Sequence, residues 1–255
     1  MPACTFDILT IFPDFFDGPL SHGMVYQARK RGILETQVHD LRDYTTDRHR
    51  TVDDRPFGGG EGMVLKPEPI FRCVRQLQEE RQGIESRVVL LTPQGKRFDQ
   101  AMAYRLAACQ RLILICGRYE GVDERVAEHL ADDEISIGDY ILSGGELAAC
   151  VLVETICRLF PGVLGNESST RNESFSMGAN SAVGGATQNV LDCPHYTRPE
   201  DFEGLKVPEV LLSGDHKKVG EWRRCRALEK TLKNRPDLLE YGVLSEQDQR
   251  LLNSD

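Results

Sequence analysis

Two stretches of the chain place glycine directly after an apolar run, where bare backbone rather than side chains would meet a ligand. Cys116-Gly117-Arg118-Tyr119-Glu120-Gly121 follows the run that begins at Arg111. Ser136-Ile137-Gly138-Asp139-Tyr140-Ile141-Leu142-Ser143-Gly144-Gly145-Glu146 leads into a second apolar run from Leu147. Ligands of open α/β sheets bind beyond the carboxyl ends of strands, and glycine there exposes N–H and C=O groups. Two such loops suit a planar ligand such as adenine. The same residues have a plainer reading: Ser143-x-x-Glu146 before an apolar run is a capping box, and glycines also simply turn chains. Spacing alone leaves both open.

The segment DRHRTVDDRPFGGG (47–60), with Asp53 and Arg55, mixes arginines, carboxylates and a glycine run. Arginine and backbone N–H groups suit phosphate, and aspartate accepts from base donors such as the guanine amino group; a solvated loop with local ion pairs is the alternative. Arg158 follows Glu154 in the i,i+4 order that forms an ion pair on a helix. Glu173 sits in a polar stretch, where a solvated carboxylate is unremarked. Farther on, Lys217, Lys218, Arg223, Arg224, Arg226, Lys230, Lys233 and Arg235 stand against Asp215, Glu221 and Glu229, a local excess of five positive charges. Arg223, Arg226, Lys230 and Lys233 share one face of a helical projection opposite Trp222 and Leu228. On an acidic chain that is the main electrostatic pointer to nucleic acid, with a solvated helix face as the alternative.

These residues need elements to hold them. CTFDILTIF (4–12) reads as a strand stopped by Pro13, RVVLL (87–91) as a strand ending at Thr92-Pro93, and RLILIC (111–116) as a strand covered on both faces. Ile70, Phe71, Val74 and Leu77 keep helical spacing after Pro67 and Pro69, as do Phe98, Met102 and Leu106, and the stripe from Leu147 to Leu159. Strands alternating with helices predict an α/β domain with a mainly parallel sheet over 1–164. Residues 165–191, rich in Gly, Ser, Asn and Ala, read as a flexible linker or lid. Residues 192–255 read as a small helical domain with an apolar stripe of Trp222, Cys225, Leu228 and Leu232.

Composition narrows the classes. The chain has 255 residues, 40% hydrophobic and 28% charged, with a net charge of −9, which fits a folded domain and excludes a generally basic nucleic-acid coat. No apolar run approaches the ~20 residues of a membrane span. The N-terminus lacks a basic leader, so a cytoplasmic protein without a signal peptide is expected. Eight cysteines sit singly, which predicts buried thiols rather than zinc or disulfides. GxxxxGK[ST], GxGxxG between strand and helix, HExxH and GxSxG are all missing, so the common nucleotide and hydrolase readings fail.

At these residues the chain resembles the bacterial tRNA (guanine-37-N1)-methyltransferases, SPOUT-class enzymes that use S-adenosyl-L-methionine. The matching runs are DRHRTVDDRPFGGGEGM (47–63), LTPQGKRFDQ (91–100), LILICGRYEGVDERV (112–126), SIGDYILSGGEL (136–147), RLFPGVLGNE (158–167), LDCPHYTRPEDFEG (191–204) and VPEVLLSGDH (207–216). They follow the family's order over nearly the whole chain. The resemblance implies a trefoil-knotted α/β domain with a helical C-terminal domain, and a homodimer with active sites at the subunit interface. It implies methyl transfer to N1 of the guanosine at tRNA position 37. It sets the adenosine moiety against the backbone of Leu91, Gly117, Tyr119, Ile137, Gly138, Asp139, Tyr140, Ile141 and Leu142, with Gly144 and Gly145 close by. Arg158 and Glu173 match positions used in catalysis. Asp53, Arg55, Lys217, Arg223, Arg226 and Lys230 fall in the parts that contact tRNA.

Chemistry agrees with those residue types. Guanine N1 carries a proton at neutral pH, so a carboxylate can serve as general base while an arginine stabilises charge spreading onto O6. No residue pattern calls for a metal, and participation of Mg2+ stays open. Three departures stand out: Glu173 replaces the family's usual Asp, Ala148 stands where many relatives have Pro, and 176–189 is longer than the corresponding segment. A catalytically inactive tRNA-binding relative and a SPOUT enzyme for another RNA position are the alternatives. The intact 136–147 loop speaks against the first, and the matches at 47–63 and 191–216 against the second.

Overall fold

The computed structural model describes residues 2–81, 83–165, 173–175, 190–240 and 244–252. It divides into two compact units, Met1–Gly165 and Asn166–Asp255. In the first, the strands are β1 (Cys4–Thr10), β2 (Leu34–Asp40), β3 (Asp53–Asp54), β4 (Val64–Leu65), β5 (Ser86–Arg97), β6 (Arg111–Cys116) and β7 (Asp133–Ser136). The helices are α1 (Gly23–Lys30), α2 (Pro67–Glu80), α3 (Gln100–Ala107), α4 (Glu124–His129) and α5 (Glu146–Cys157). Five strands form one parallel sheet in the order β2-β1-β6-β5-β7, while β3 and β4 pair antiparallel beside it. The expected α/β class with a parallel sheet is what the fold has.

Every residue of β1 and β6 is buried, which is why these central strands read as unbroken apolar runs rather than alternating ones. Phe6, Ile8, Leu112 and Leu114 cluster with residues of α1, α3 and α5, and Leu9, Ile113 and Ile115 with residues of α2 and α4. In α2, Pro67 and Pro69 occupy the first turn, where their missing N–H groups have no helical partner to lose, and Ile70, Cys73, Val74 and Leu77 are buried at helical spacing.

Two strand ends differ from expectation. β1 stops at Thr10, two residues early, and Pro13 opens a short 3-10 turn. β5 does not end at Thr92-Pro93 but resumes, because Ile135 of β7 pairs with both Leu91 and Lys96. The residues between form an outward bulge, where a proline without an N–H is tolerated. Gly95 lies so close to β7 that an added Cβ would collide with the backbone of Glu134 and Ile135.

One charged network lies inside the sheet. Arg111 Nε donates to Asp7 Oδ2 at 2.6 Å, His39 Nε2 lies 2.8 Å from Asp7 Oδ1, and Arg111 also donates to the Leu77 carbonyl. Asp7 and Arg111 are buried. Burial alone would raise the Asp7 carboxyl, but hydrogen bonds from His39 and Arg111 outweigh it and hold the group below its ordinary 3.8. The network therefore stabilises the fold above the unfolded carboxyl value, and its contribution is lost as pH falls through the folded one. Asp7→Asn should lower stability at neutral pH by about 3–5 kcal/mol, because Arg111 is left buried without its partner. In denaturant titrations the gap from the unsubstituted protein should narrow below about pH 4.

In the second unit a short hairpin pairs Asp201–Phe202 with Leu205–Lys206, followed by α6 (Glu209–Leu212), α7 (His216–Asn234), α8 (Asp237–Glu240) and α9 (Glu246–Leu252). Asp215 caps α7 by accepting from the N–H groups of Lys217 and Lys218. Arg224 of α7 donates twice to Asp248 of α9, at 2.7 and 2.9 Å. The expected apolar stripe is shifted: Leu228 is buried, but Leu232 is 54% exposed and Thr231 takes the inward position. A hydroxyl can be buried there because it donates to the Ala227 carbonyl and accepts the Leu191 N–H. Of the linker expected over 165–191, residues 166–172 and 176–189 lie outside the described residues. No helix among the described residues is long and apolar enough to cross a membrane.

Candidate active site

The bulge within β5 and the loops leaving the carboxyl ends of β6 and β7 wall a half-open cavity of about 510 Å³. The first is the bulge after Leu91, the second runs from Gly117 to Val122, and the third from Ser136 to Gly145. Two contacts tie the second to the third: Gly145 N–H donates to the Gly117 carbonyl at 2.9 Å, and Arg118 bridges Gly144. The third loop is shaped at its start by Ser136, whose hydroxyl engages both the N–H and the C=O of Gly138. Tyr119 has a φ of +60°, a left-handed backbone unusual for an aromatic residue. Leu91, Gly117, Tyr119, Ile137, Gly138, Tyr140, Ile141, Leu142, Gly144 and Gly145 all line the cavity, whereas Asp139 is exposed and outside the lining.

The glycines differ in what they do. An added Cβ at Gly145 would sit 2.7 Å from Cys116 Cα, so this glycine lets α5 begin directly against the end of β6. At Gly144 it would press on Glu146 and Arg118. At Gly117 it would meet Leu91 O at 3.5 Å and Val122 Cγ1 at 3.8 Å, which is ordinary contact. The capping box does not form. Gly145 is the residue before α5, with no side-chain cap, and Glu146 turns inward to accept from Thr10 Oγ1 at 2.9 Å and Arg118 at 3.4 Å.

Arg118 is the residue that loop spacing did not single out. It lines the cavity, pairs with Glu146, and lies 4.7 Å from the Phe12 ring centroid; its position beside Tyr119 in a glycine-flanked turn was the available signal. The 47–63 segment reaches the same rim. Glu120 N–H donates to Met63 O and Leu65 N–H to Gly121 O, so β4 and its partner β3 are fastened to the second loop. Burial, and then a hydrogen bond to Asp53, push the Tyr119 hydroxyl above its ordinary 10.0. Arg55 lies just beyond β3 and is exposed. Cys116, the last residue of β6, is outside the lining, and burial pushes its thiol well above 9.0, so it stays protonated.

Other expected site residues lie elsewhere. Arg158 is the half-buried residue that ends α5, its N–H donating to the Glu154 and Ile156 carbonyls. The cavity is at the opposite end of that helix, about 18 Å away at 1.5 Å per residue. Glu173 is half-buried in the second unit. Lys217, Arg223, Arg226 and Lys230 are exposed along α7, and Arg226 pairs with Glu229 at 2.6 Å. One grouping escaped the sequence reading: Asp192, Cys193 and His195 bring donor atoms within 4.8 Å of one another. His195 Nε2 is 2.9 Å from Asp192 Oδ2, and burial followed by the Asp192 charge raises the Cys193 thiol, which disfavours the thiolate a metal would need.

A parallel sheet whose carboxyl-end loops wall a cavity places the chain among α/β proteins with a candidate small-ligand site at those strand ends. A family model described as tRNA (Guanine-1)-methyltransferase TrmD matches residues 4–241. The chain belongs to that tRNA (guanine-N1)-methyltransferase family. Among its relatives, the tRNA (guanine-N(1)-)-methyltransferase of Koribacter versatilis is 56% identical over 253 residues, covering 96% of each chain. That of Geobacter metallireducens is 50% identical over 247 residues, covering 97% of this chain and 96% of its own. The crystal structure of tRNA (m1G37) methyltransferase from Aquifex aeolicus is 39% identical and superposes with a TM-score of 0.73, covering 94% of this chain and 96% of that one.

Proposed function

We infer that the protein transfers a methyl group from S-adenosyl-L-methionine to N1 of the guanosine at position 37 of tRNA. The observation that carries this reading is the convergence of the family's cofactor loops on one cavity of about 510 Å³, inside the ~300–1,000 Å³ range of small-molecule sites. Backbone at Leu91, Gly117, Ile137, Gly138, Tyr140, Ile141 and Leu142 lines the cavity, where an adenine edge would need N–H and C=O partners. Ile137 and Leu142 offer apolar faces, and Arg118 a cation for a carboxylate. Gly117 keeps its stretch of the lining free of a side chain, and a Cβ there would stand 3.5 Å from Leu91 O. When bound, the cofactor supplies a methyl group activated on a sulfonium. The chain supplies the rest: Glu173 takes the N1 proton, and Arg158 donates to O6 as negative charge develops there. The guanine leaves its stack to be reached, with Asp53 at the rim to accept from its amino group. The exposed cations of α7 engage phosphate. Labelled S-adenosyl-L-methionine should methylate tRNA transcripts with G at position 37 and leave A37 transcripts unlabelled. Equal labelling of both would overturn the reading.

The site is built from two copies of the chain. Within one copy α5 separates Arg158 from the cavity by its whole length. α5 is also apolar nearly all round: Ala149, Leu152, Val153 and Ile156 are buried inward, while Leu147 and Val151 are 52% and 42% exposed one turn apart on the other side. A helix apolar on both sides calls for cover on both, and a second copy also brings its own Arg158 and Glu173. Mixed dimers of Glu173→Ala and Gly117→Val chains should therefore recover activity in one class of site, although neither variant alone is active. Sedimentation of a fully active monomer would end the idea.

A further inference from the structure

Ser174 and Phe175, the two residues that follow Glu173, are held within the second unit. Phe175 has a φ of +64°, a left-handed backbone that bulky residues rarely adopt and that persists only where contacts impose it. Its N–H donates to Val190 O at 3.3 Å, and the Arg235 guanidinium carbon stands 5.9 Å from its ring centroid. Arg235 is fixed in turn by two hydrogen bonds to Asp237, at 2.9 and 2.7 Å, and by its N–H donating to Thr231 O where α7 ends. One residue earlier, Ser174 Oγ accepts the Asp192 N–H at 2.9 Å. Between these points Leu191 N–H donates to the buried Thr231 hydroxyl at 3.0 Å. Backbone, hydroxyl and ring thus each hold the short segment to 190–192 and the end of α7.

We propose that residues 190–192 and the last turn of α7 form a seat for the segment carrying Glu173, with Ser174 and Phe175 as positioning residues for its carboxylate. The proposal rests on the reading of Glu173 as general base. Glutamate has one more rotatable bond than the aspartate usual at this place, so its carboxylate loses more freedom on becoming fixed. A firmly held backbone restricts that search. A displacement near 1 Å is enough to slow chemistry about 100-fold. Ser174 and Phe175 do not touch the reacting atoms; they act through their neighbour.

The test is single-turnover methylation of a G37 transcript by the full-length protein. Ser174→Ala removes the acceptor for the Asp192 N–H and should slow the step about 10- to 100-fold, with tRNA KM, cofactor affinity and melting midpoint unchanged. Ser174→Thr keeps the hydroxyl and should restore the rate. In a Glu173→Ala background, Ser174→Ala should have no further effect, since its action runs through the missing carboxylate. Phe175→Leu, which loses the ring facing Arg235, should repeat the pattern and decides the matter if Ser174→Ala does not fold. Equal slowing in both backgrounds, or a lowered melting midpoint with an unchanged rate, would overturn the seat. So would Ser174→Ala and Phe175→Leu at full rate beside a slow Glu173→Ala, which leaves the base intact. Glu173→Ala at full rate removes the reading beneath the proposal instead.

Discussion

Replacing Glu173 with alanine should slow single-turnover methylation by about 10²–10⁴-fold, the range for loss of a positioned general base. N1 of guanine is a poor nucleophile while it holds its proton, so without the carboxylate the proton must leave to solvent. The residual rate of Glu173→Ala should then keep climbing with pH where the unsubstituted enzyme has levelled off. Cofactor affinity should be unchanged, because the role proposed for Glu173 is toward the guanine N1 proton and not toward the cofactor. Calorimetric titration with S-adenosyl-L-methionine separates the two effects. Glu173→Asp should retain most of the rate, since it restores the family's usual residue at the cost of one methylene of reach. Near-normal turnover in Glu173→Ala would remove the assignment.

How far the sequence could be read depended on the range of the interactions involved. Strand and helix identities were legible because burial on both faces of β6, or on one face of α2, writes itself into local periodicity. The continuation of β5 was not, since it depends on pairing with β7 on either side of a bulge. Local pattern misled at Ser143 and Glu146: the capping box was available, yet Glu146 is drawn to Thr10, a residue 136 positions away. Thr231 was passed over for Leu232 because the partner that makes its burial possible, the Leu191 N–H, lies in another segment. The glycine loops suggested a ligand site or simple turns, and the structure gathers them around one cavity. Nothing local announced Arg158 or Glu173, which entered through the resemblance alone. Strand order β2-β1-β6-β5-β7 is consistent with the SPOUT fold, but a knot is a property of the whole chain path and no periodicity encodes it.

Gly117→Val should abolish binding of S-adenosyl-L-methionine while the protein stays folded, and the two halves of that statement have separate causes. The expectation that the protein stays folded starts from the Cβ, which at this position finds only ordinary contacts, 3.5 Å to Leu91 O and 3.8 Å to Val122 Cγ1. The hydrogen bond from Gly145 to the Gly117 carbonyl is made by backbone and survives. Binding does not tolerate it, because the new methyl groups occupy the wall between the first two loops, where the ligand would meet bare backbone. Gly145→Ala provides the contrast. Its Cβ would fall 2.7 Å from Cys116 Cα and 3.1 Å from Gly117 N, both backbone atoms that cannot step aside. That variant should lower the melting midpoint whether or not ligand is present, whereas Gly117→Val should melt normally and lose only the rise in midpoint that the cofactor gives. Undiminished binding by a folded Gly117→Val protein would mean that this glycine merely turns the chain, and the cofactor would have to be sought elsewhere on the sheet edge.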